Sequence, residues 1–291
     1  MGKLFRLEIN NKQYYSFMWN DDQLTILLKI IREAGSAILS VYSDNSNFRI
    51  RYKDDYSPIT RADRLANRTI VRALKKLPVN FPILSEESEE PPYRERESWT
   101  DYWLIDPLDG TKEFIKQNGE FSVNIAHIRN GSPEMGAVHA PVTGVTYLGK
   151  KGLGAWRVDR DDVTREIHAR RMENSSSAIK VLASRSHRND SLDDLLKDIS
   201  TKIGDVEIAV MGSSLKICLL AEGKADLYLR QTPTCEWDTA AAHAVLAGSG
   251  GEIFDANFKI LKYNQKSSLL NPNFFAVADP NFDWGKLLKI K

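Results

Sequence analysis

The chain has 291 residues, 42% of them hydrophobic and 27% charged, and its 40 basic residues are offset by 39 acidic ones. So small a net charge excludes a bulk basic surface for nucleic acid, and no apolar run is long enough to cross a bilayer as a helix. Two cysteines, Cys218 and Cys235, make no disulfide framework and suit a reducing compartment. Residues 1–20 contain neither a continuous apolar segment nor a small-residue cleavage site, so no signal peptide is expected and a cytoplasmic protein is the default. The aromatic side chains of that extension (Phe5, Tyr14, Tyr15, Phe17 and Trp19) leave a peripheral position at the inner face of the cell membrane as an alternative, although no amphipathic face supports it.

In chain order, Asp21 or Asp22 can cap a helix whose Leu24, Leu27, Leu28, Ile31 and Ile38 fall on one stripe. A polar stretch, 44–57, follows. Thr60-Arg61-Ala62-Asp63 has the form of a capping box at the head of a second helix running to about Leu77, with Leu65, Val71 and Leu74 inward. Phe81 to Leu84 reads as a short strand delivering Ser85-Glu86-Glu87, and an acidic loop leads to Trp103-Leu104-Ile105-Asp106-Pro107-Leu108-Asp109-Gly110-Thr111. That stretch reads as a buried strand stopping at a turn with two carboxylates, with a helix starting at once. Short strands at 122–128, 135–140, 144–148 and 154–158 form an antiparallel meander. Beyond about residue 165 the rhythm alternates: strands at 179–183, 206–210, 226–229 and 252–254, helices near 191–199 and at 214–222 and 238–247. The expected organisation is an extension (1–20), an N-terminal α+β subdomain with an antiparallel sheet (21–165) and a C-terminal α/β subdomain (166–291).

Asp106 and Asp109 are close enough in sequence for both to reach one ion. Carboxylate oxygens of this kind suit Mg²⁺, and the backbone N–H groups of Gly110 and Thr111 would open a helix end that attracts anions. Cations beside an anion-binding turn point to phosphate chemistry. A lone D-x-x-D is more often a polar turn. Three further acids carry similar alternatives: Glu86 as part of a solvated acidic loop, Asp63 and Asp238 as ordinary helix caps.

Ser85-Glu86-Glu87, Asp106-Pro107-Leu108-Asp109-Gly110-Thr111 and Trp237-Asp238-Thr239-Ala240-Ala241 ending in Gly250-Gly251 together resemble the three signatures of the inositol monophosphatase superfamily. The continuation Lys112-Glu113-Phe114-Ile115, then Asn118-Gly119-Glu120-Phe121, Ser184-Arg185-Ser186-His187 and Gly212-Ser213-Ser214-Leu215-Lys216 is similar to its 3′(2′),5′-bisphosphate nucleotidase branch. The resemblance implies an αβαβα sandwich of the sugar-phosphatase type. It implies two or three Mg²⁺ per site, held by Glu86, Asp106, the Leu108 carbonyl, Asp109 and Asp238, and sensitivity to lithium. Asp63 and Thr111 would activate the attacking water, with Glu86 contributing through its metal. Gly110 and Thr111 would hold the scissile phosphate, and Ser213, Lys216, Arg230 and His187 would surround the nucleotide. The implied reaction is removal of the 3′-phosphate from adenosine 3′,5′-bisphosphate, by a monomer or homodimer.

Two rivals stand beside this reading. One is a phosphatase of the same fold acting on an inositol phosphate or fructose 1,6-bisphosphate, since the metal site reads only the phosphate. The other is a non-catalytic sensor, which would be expected to lose a ligand; all four carboxylates are present.

Overall fold

The computed structural model describes residues 22–44, 51–52, 58–172, 178–184, 197, 199–201 and 205–288. The extension at 1–20, His187 and most of the helix expected near 191–199 lie outside the described residues. Helix α1 (Asp22–Tyr42) buries Leu24, Leu27, Leu28, Ile31 and Ile38 on one stripe, as its spacing predicts. Helix α2 (Arg61–Leu74) starts at the capping box on Thr60 and ends three residues earlier than the sequence suggests.

These two helices cover one face of a seven-stranded sheet. Its strands, in spatial order, are β3 (Ile83–Ser85), β4 (Asp101–Asp109), β5 (Ser122–Arg129), β6 (Ser132–Ala140), β7 (Val145–Lys150), β8 (Gly154–Val158) and β9 (Thr164–Glu166). Strand β3 runs parallel to β4 and the other neighbours are antiparallel. A separate antiparallel pair, β1 (Arg51–Tyr52) with β2 (Pro58–Ile59), leads into α2, and a single turn, α3 (Tyr93–Arg96), lies between β3 and β4.

Two facts explain why β4 is apolar on both sides. Trp103 and Ile105 pack among the α1 and α2 side chains, whereas Tyr102 and Leu104 join a second core on the opposite face. A strand buried on both faces has no need of polar alternation. The second core is filled by helices α5 (Leu215–Ala221) and α6 (Ala240–Ser249), and beneath them lies a five-stranded sheet. That sheet has the order β11 (Val206–Met211), β10 (Ile179–Ser184), β12 (Leu227–Arg230), β14 (Phe274–Val277), β13 (Glu252–Asp255). Its outer face packs against Ile199, Trp284 and Leu287. Helices, sheet, helices, sheet and helices thus form five layers, as expected.

Strand β14 is absent from the sequence-based reading. It slots between β12 and β13, antiparallel to both. A four-residue apolar run with no alternation is indistinguishable from a loop's hydrophobic anchor until its neighbours are known.

The alanine run of α6 has the packing role its composition suggests. Gly136 and Gly149 face it from the sheet, and a Cβ on Gly149 would lie 2.4 Å from the Val245 Cα and 2.6 Å from the Ala244 carbonyl oxygen. Backbone meets backbone here, so no side-chain rotation relieves the clash. Gly149→Ala is expected to cost about 1–3 kcal/mol by overpacking, read as a lower urea midpoint at constant m-value. An unchanged midpoint would show that the layer has room to part.

Candidate active site

The ends of β3, β4 and β12 and the start of α6 converge at one end of the two sheets. Contrary to the expected turn, β4 does not stop before its two aspartates; it runs through Asp109. Asp106 pairs with Asn124 and Asp109 with Ser122, so three steps on β4 are matched by two on β5. In a regular strand residues three apart point to opposite faces. The extra residue is a β-bulge, which re-aims the strand and lets Asp106 and Asp109 share a side. Glu86 joins them from β3: Ser85 pairs with Ile105, and the Glu86 N–H donates to the Ile105 carbonyl at 3.2 Å. Asp238 comes from the other half, on the last residue of a 3-10 turn, Glu236–Asp238, just ahead of α6.

Asp106, Asp109 and Asp238 each have one oxygen held by the protein, and Asp63 has both. Leu108 N–H donates to Asp106 Oδ1 at 2.9 Å. Asp109 Oδ2 accepts from the Ser214 N–H and, at 3.3 Å, from the Ser122 hydroxyl. Asp238 Oδ2 accepts from Cys235 N–H at 2.9 Å. Asp63 Oδ2 accepts from Thr60 N–H at 2.7 Å and from its hydroxyl at 2.6 Å, while Oδ1 accepts from the Thr111 hydroxyl at 3.2 Å. Asp63 and Asp238 are therefore helix or turn caps and site residues at once, because a carboxylate has two oxygens and a cap needs one.

Crowding governs the electrostatics. Burial, then Glu86, Asp109 and Asp238, push the Asp106 carboxyl well above the ordinary carboxylate range. Asp238 is raised by burial and then by Asp109 and Glu86. Asp109 is raised by burial against the opposing pull of Lys216 and the Ser214 N–H, and Asp63 by burial against its Thr60 hydrogen bonds. Like charges at this density need counter-charge. The donor set is all oxygen, four carboxylates with the Leu108 carbonyl beside the Thr111 hydroxyl (3.4 Å), which fits a hard divalent cation rather than zinc or copper. Among the described residues no group of three or more acidic, histidine or cysteine side chains is gathered as a metal site.

Gly110 takes φ +95° between β4 and α4 (Thr111–Ile115), and a Cβ there would sit 3.2 Å from the Glu120 carbonyl oxygen. Both the left-handed backbone and the close approach favour glycine. On the far wall, Ser213 adopts φ +50° in the turn ahead of α5. Lys216 is buried, not a surface cation: its ammonium donates to the Ser213 carbonyl at 2.6 Å and the Met211 carbonyl at 3.3 Å, and lies 5.3 Å from the Tyr228 ring centroid. Burial pushes its pKa down to about 8 despite Asp109 nearby. Arg230, half-exposed at the end of β12, donates to the Thr232 and Pro233 carbonyls.

Sequence reasoning missed the residues that hold these groups in place. Ser122 and Ser214 share a hydroxyl contact at 2.9 Å, and Ser214 donates to the Asn124 side-chain oxygen at 2.8 Å, so Asp109 stands on a buried polar patch. Asn67 on α2 donates to the Glu87 carbonyl at 2.9 Å and accepts from the Ser85 hydroxyl at 2.9 Å, clamping the segment that carries Glu86. Fully buried Arg96 and Asn264 bond to each other, and the Asn264 N–H donates to Glu236 at 2.8 Å, two residues before Asp238. A lone Ser, Asn or Arg in a sequence carries no signal of such partners; the spacing Asp63-x-x-x-Asn67, one helical turn, was the only available hint.

The inositol monophosphatase family model matches residues 19–281, and the chain belongs to that family. It is 43% identical over 246 residues to the 3′(2′),5′-bisphosphate nucleotidase CysQ of Salmonella typhimurium, covering 84% of this chain and 96% of that one. The CysQ of Haemophilus influenzae is 35% identical over 271 residues, covering 93% and 98%. Among solved structures, CysQ from Bacteroides thetaiotaomicron superposes with a TM-score of 0.77 at 39% identity, covering 90% of this chain and 98% of that one. An inositol monophosphatase from Thermotoga maritima shares the fold at a TM-score of 0.72 and 22% identity, covering 90% and 94%.

The carboxylate crowding has a testable sign. A carboxyl whose folded pKa is raised binds protons where the unfolded chain has released them, so its contribution to stability falls as pH rises through that window. In EDTA at pH 7, Asp106→Asn should therefore melt higher than the wild type, by roughly a few °C, and the gap should shrink on acidification towards pH 5. With Mg²⁺ the order should reverse. Equal melting temperatures in EDTA at both pH values would mean that the repulsion is relaxed elsewhere.

Proposed function

We propose that this chain is a Mg²⁺-dependent 3′(2′),5′-bisphosphate nucleotidase that removes the 3′-phosphate of adenosine 3′,5′-bisphosphate to give AMP and phosphate. The observation that carries it is the convergence of Glu86, Asp106, Asp109 and Asp238 beside the Asp63–Thr111 pair, in a chain whose relatives bear that activity in their names. The carboxylates with the Leu108 carbonyl would hold two or three Mg²⁺, which when bound supply charge neutralisation and an activated water for phosphoryl transfer.

The chain's own residues do the rest. The Thr111 hydroxyl is held by Asp63 and can in turn orient a water, with Asp63 as proton acceptor. The Gly110–Thr111 backbone faces the phosphate to be cleaved. Ser213 and Arg230 line the nucleotide side, and Lys216 adds positive charge from beneath the turn at 211–213. His187 belongs to the same side by resemblance. The protein acts on a small molecule, as a monomer or homodimer. No helix among the described residues is long and apolar enough to cross a membrane; a cytoplasmic location, with or without peripheral contact at the membrane's inner face, belongs to this proposal.

Phosphate release from adenosine 3′,5′-bisphosphate, measured beside inositol 1-phosphate and fructose 1,6-bisphosphate with Mg²⁺, tests the reading. The nucleotide should give the highest kcat/KM, and Li⁺ should inhibit in a Mg²⁺-dependent manner. Preference for either sugar phosphate would replace the nucleotidase assignment with its runner-up. Asp109→Asn should lower kcat by orders of magnitude while leaving the fold intact, because a neutral amide is a poorer Mg²⁺ ligand; near-normal turnover at saturating Mg²⁺ would remove Asp109 from the ligand set.

Arg230 and Lys216 should behave differently. Arg230→Gln is expected to raise KM for the bisphosphate roughly tenfold, a loss of about 1.4 kcal/mol, and to leave a monophosphate substrate unchanged. Lys216→Ala should impair both substrates, because its ammonium supports the turn that donates to Asp109. Selective loss of the bisphosphate in Lys216→Ala would place its ammonium on the substrate directly.

A further inference from the structure

Helix α2 presents Arg61, Arg64 and Arg68 at i, i+3 and i+7, a spacing that puts them on one face about 5–6 Å apart at Cβ for successive turns. All three are exposed and line a cleft of about 670 Å³ together with Thr60, Asn67 and Glu87. The protein as a whole carries 40 basic and 39 acidic residues, yet among the described lining residues three guanidiniums stand with one carboxylate, Glu87. Among the described residues neither Arg61 nor Arg64 is in an ion pair, and Arg68 spends its Nε on the Arg64 carbonyl at 3.3 Å. A solvated charged face would be expected to mix signs along the helix; this one is concave and of one sign.

The cleft also backs on the reacting centre. Thr60, one of its lining residues, holds Asp63, and Asn67, another, clamps the segment of Glu86. Through these two residues the arginine cleft borders the Asp63–Thr111 pair and the segment that carries Glu86, where the proposed reaction activates its water. In an in-line displacement the P–O bond to water forms as the bond to the leaving 3′-oxygen breaks, and the freed phosphate ends on the water's side.

We propose that the Arg61–Arg64–Arg68 cleft is an oxyanion site outside the reacting centre, built for a phosphate dianion. It rests on the phosphatase reading for its role, but not for its chemistry. Guanidiniums bind phosphate through paired charge-assisted hydrogen bonds, and the cleft has room for the ion and its bridging waters. The dianion that the reaction supplies on this side is the released phosphate.

The variant Arg61→Gln/Arg64→Gln changes exposed side chains only, and its circular dichroism and melting should match the wild type. The direct test is calorimetric titration of inorganic phosphate into the full chain in EDTA. Wild type should bind, more weakly as salt is raised. The double variant should bind at least roughly tenfold more weakly, the effect of removing one charge-assisted hydrogen bond. With Mg²⁺ and adenosine 3′,5′-bisphosphate, a raised inhibition constant for added phosphate at unchanged KM identifies the released ion as the occupant. A raised KM for the bisphosphate with an unchanged inhibition constant for phosphate would overturn the assignment to the released ion. Wild type that takes up no phosphate in EDTA, or a variant that binds it as tightly, overturns the site. Calorimetry needs no turnover, so failure of the nucleotidase reading would appear separately, as a wild type that binds phosphate but does not hydrolyse the bisphosphate.

Discussion

Mutual repulsion among four clustered carboxylates is the constraint around which this molecule is arranged. Asp106, almost wholly buried, feels Glu86, Asp109 and Asp238 at once, and nothing in a hydrophobic core compensates such a group. The protein tolerates it by pinning one oxygen of each aspartate with a backbone N–H or a hydroxyl, which fixes its direction and partly offsets its desolvation. What remains is a set of carboxylates close enough to raise one another's pKa, which the proposed function supplies with cations. The surrounding layers are dense enough that α6 touches the backbone of β6 and β7 at glycines.

The five-layer arrangement follows from what the site needs. Glu86, Asp106 and Asp109 come from adjacent strands of one sheet, Asp63 from a helix above it, and Asp238 from the turn ahead of a helix below it. Strands β3 and β4 run parallel, so both deliver their acids at the same end, and the bulge in β4 corrects the alternation that would otherwise separate Asp106 from Asp109. Buried polar clamps then remove the remaining freedom: Asn67 on the Glu86 segment, Ser122 and Ser214 on Asp109, Asn264 on the turn bearing Asp238. Networks of this kind restrict their members in a low-dielectric interior, although Arg96 Nε and Asn124 Nδ2 are buried within them without a hydrogen-bond partner among the described residues.

Lys216 and the α2 arginines show how charge of one sign can be used in two ways. Buried beneath the 211–213 turn, the lysine is bound to carbonyls and so acts through the backbone it supports. Its proximity to Asp109 moderates the rise that burial gives that carboxylate. The arginines lie in solvent along a concave face, where their hydrogen-bonding capacity is available to a ligand. Burial, rather than residue type, separates the two roles.

Much of this was legible in the amino-acid order. The stripe of α1, the capping box at Thr60, the meander of β5 to β8 and most strands of the second sheet follow from local periodicity and turn chemistry, which act over a few residues. The acids themselves, Glu86, Asp106, Asp109, Asp238 and Asp63, stood out because their motifs are local and ordered. The family assignment followed from those motifs together. Tertiary structure alone decided what depends on partners distant in sequence. The bulge exists only in the register between β4 and β5, and β14 is a strand only because β12 and β13 leave it a place. Asn67, Ser122, Ser214 and Asn264 gain their roles from contacts across 13 to 105 residues. Lys216 is buried, not exposed, because α5 turns it towards Tyr228. A sequence records which groups are present and how they are spaced along the chain. Their distances through space, and hence their charges and hydrogen bonds, are set when the layers close.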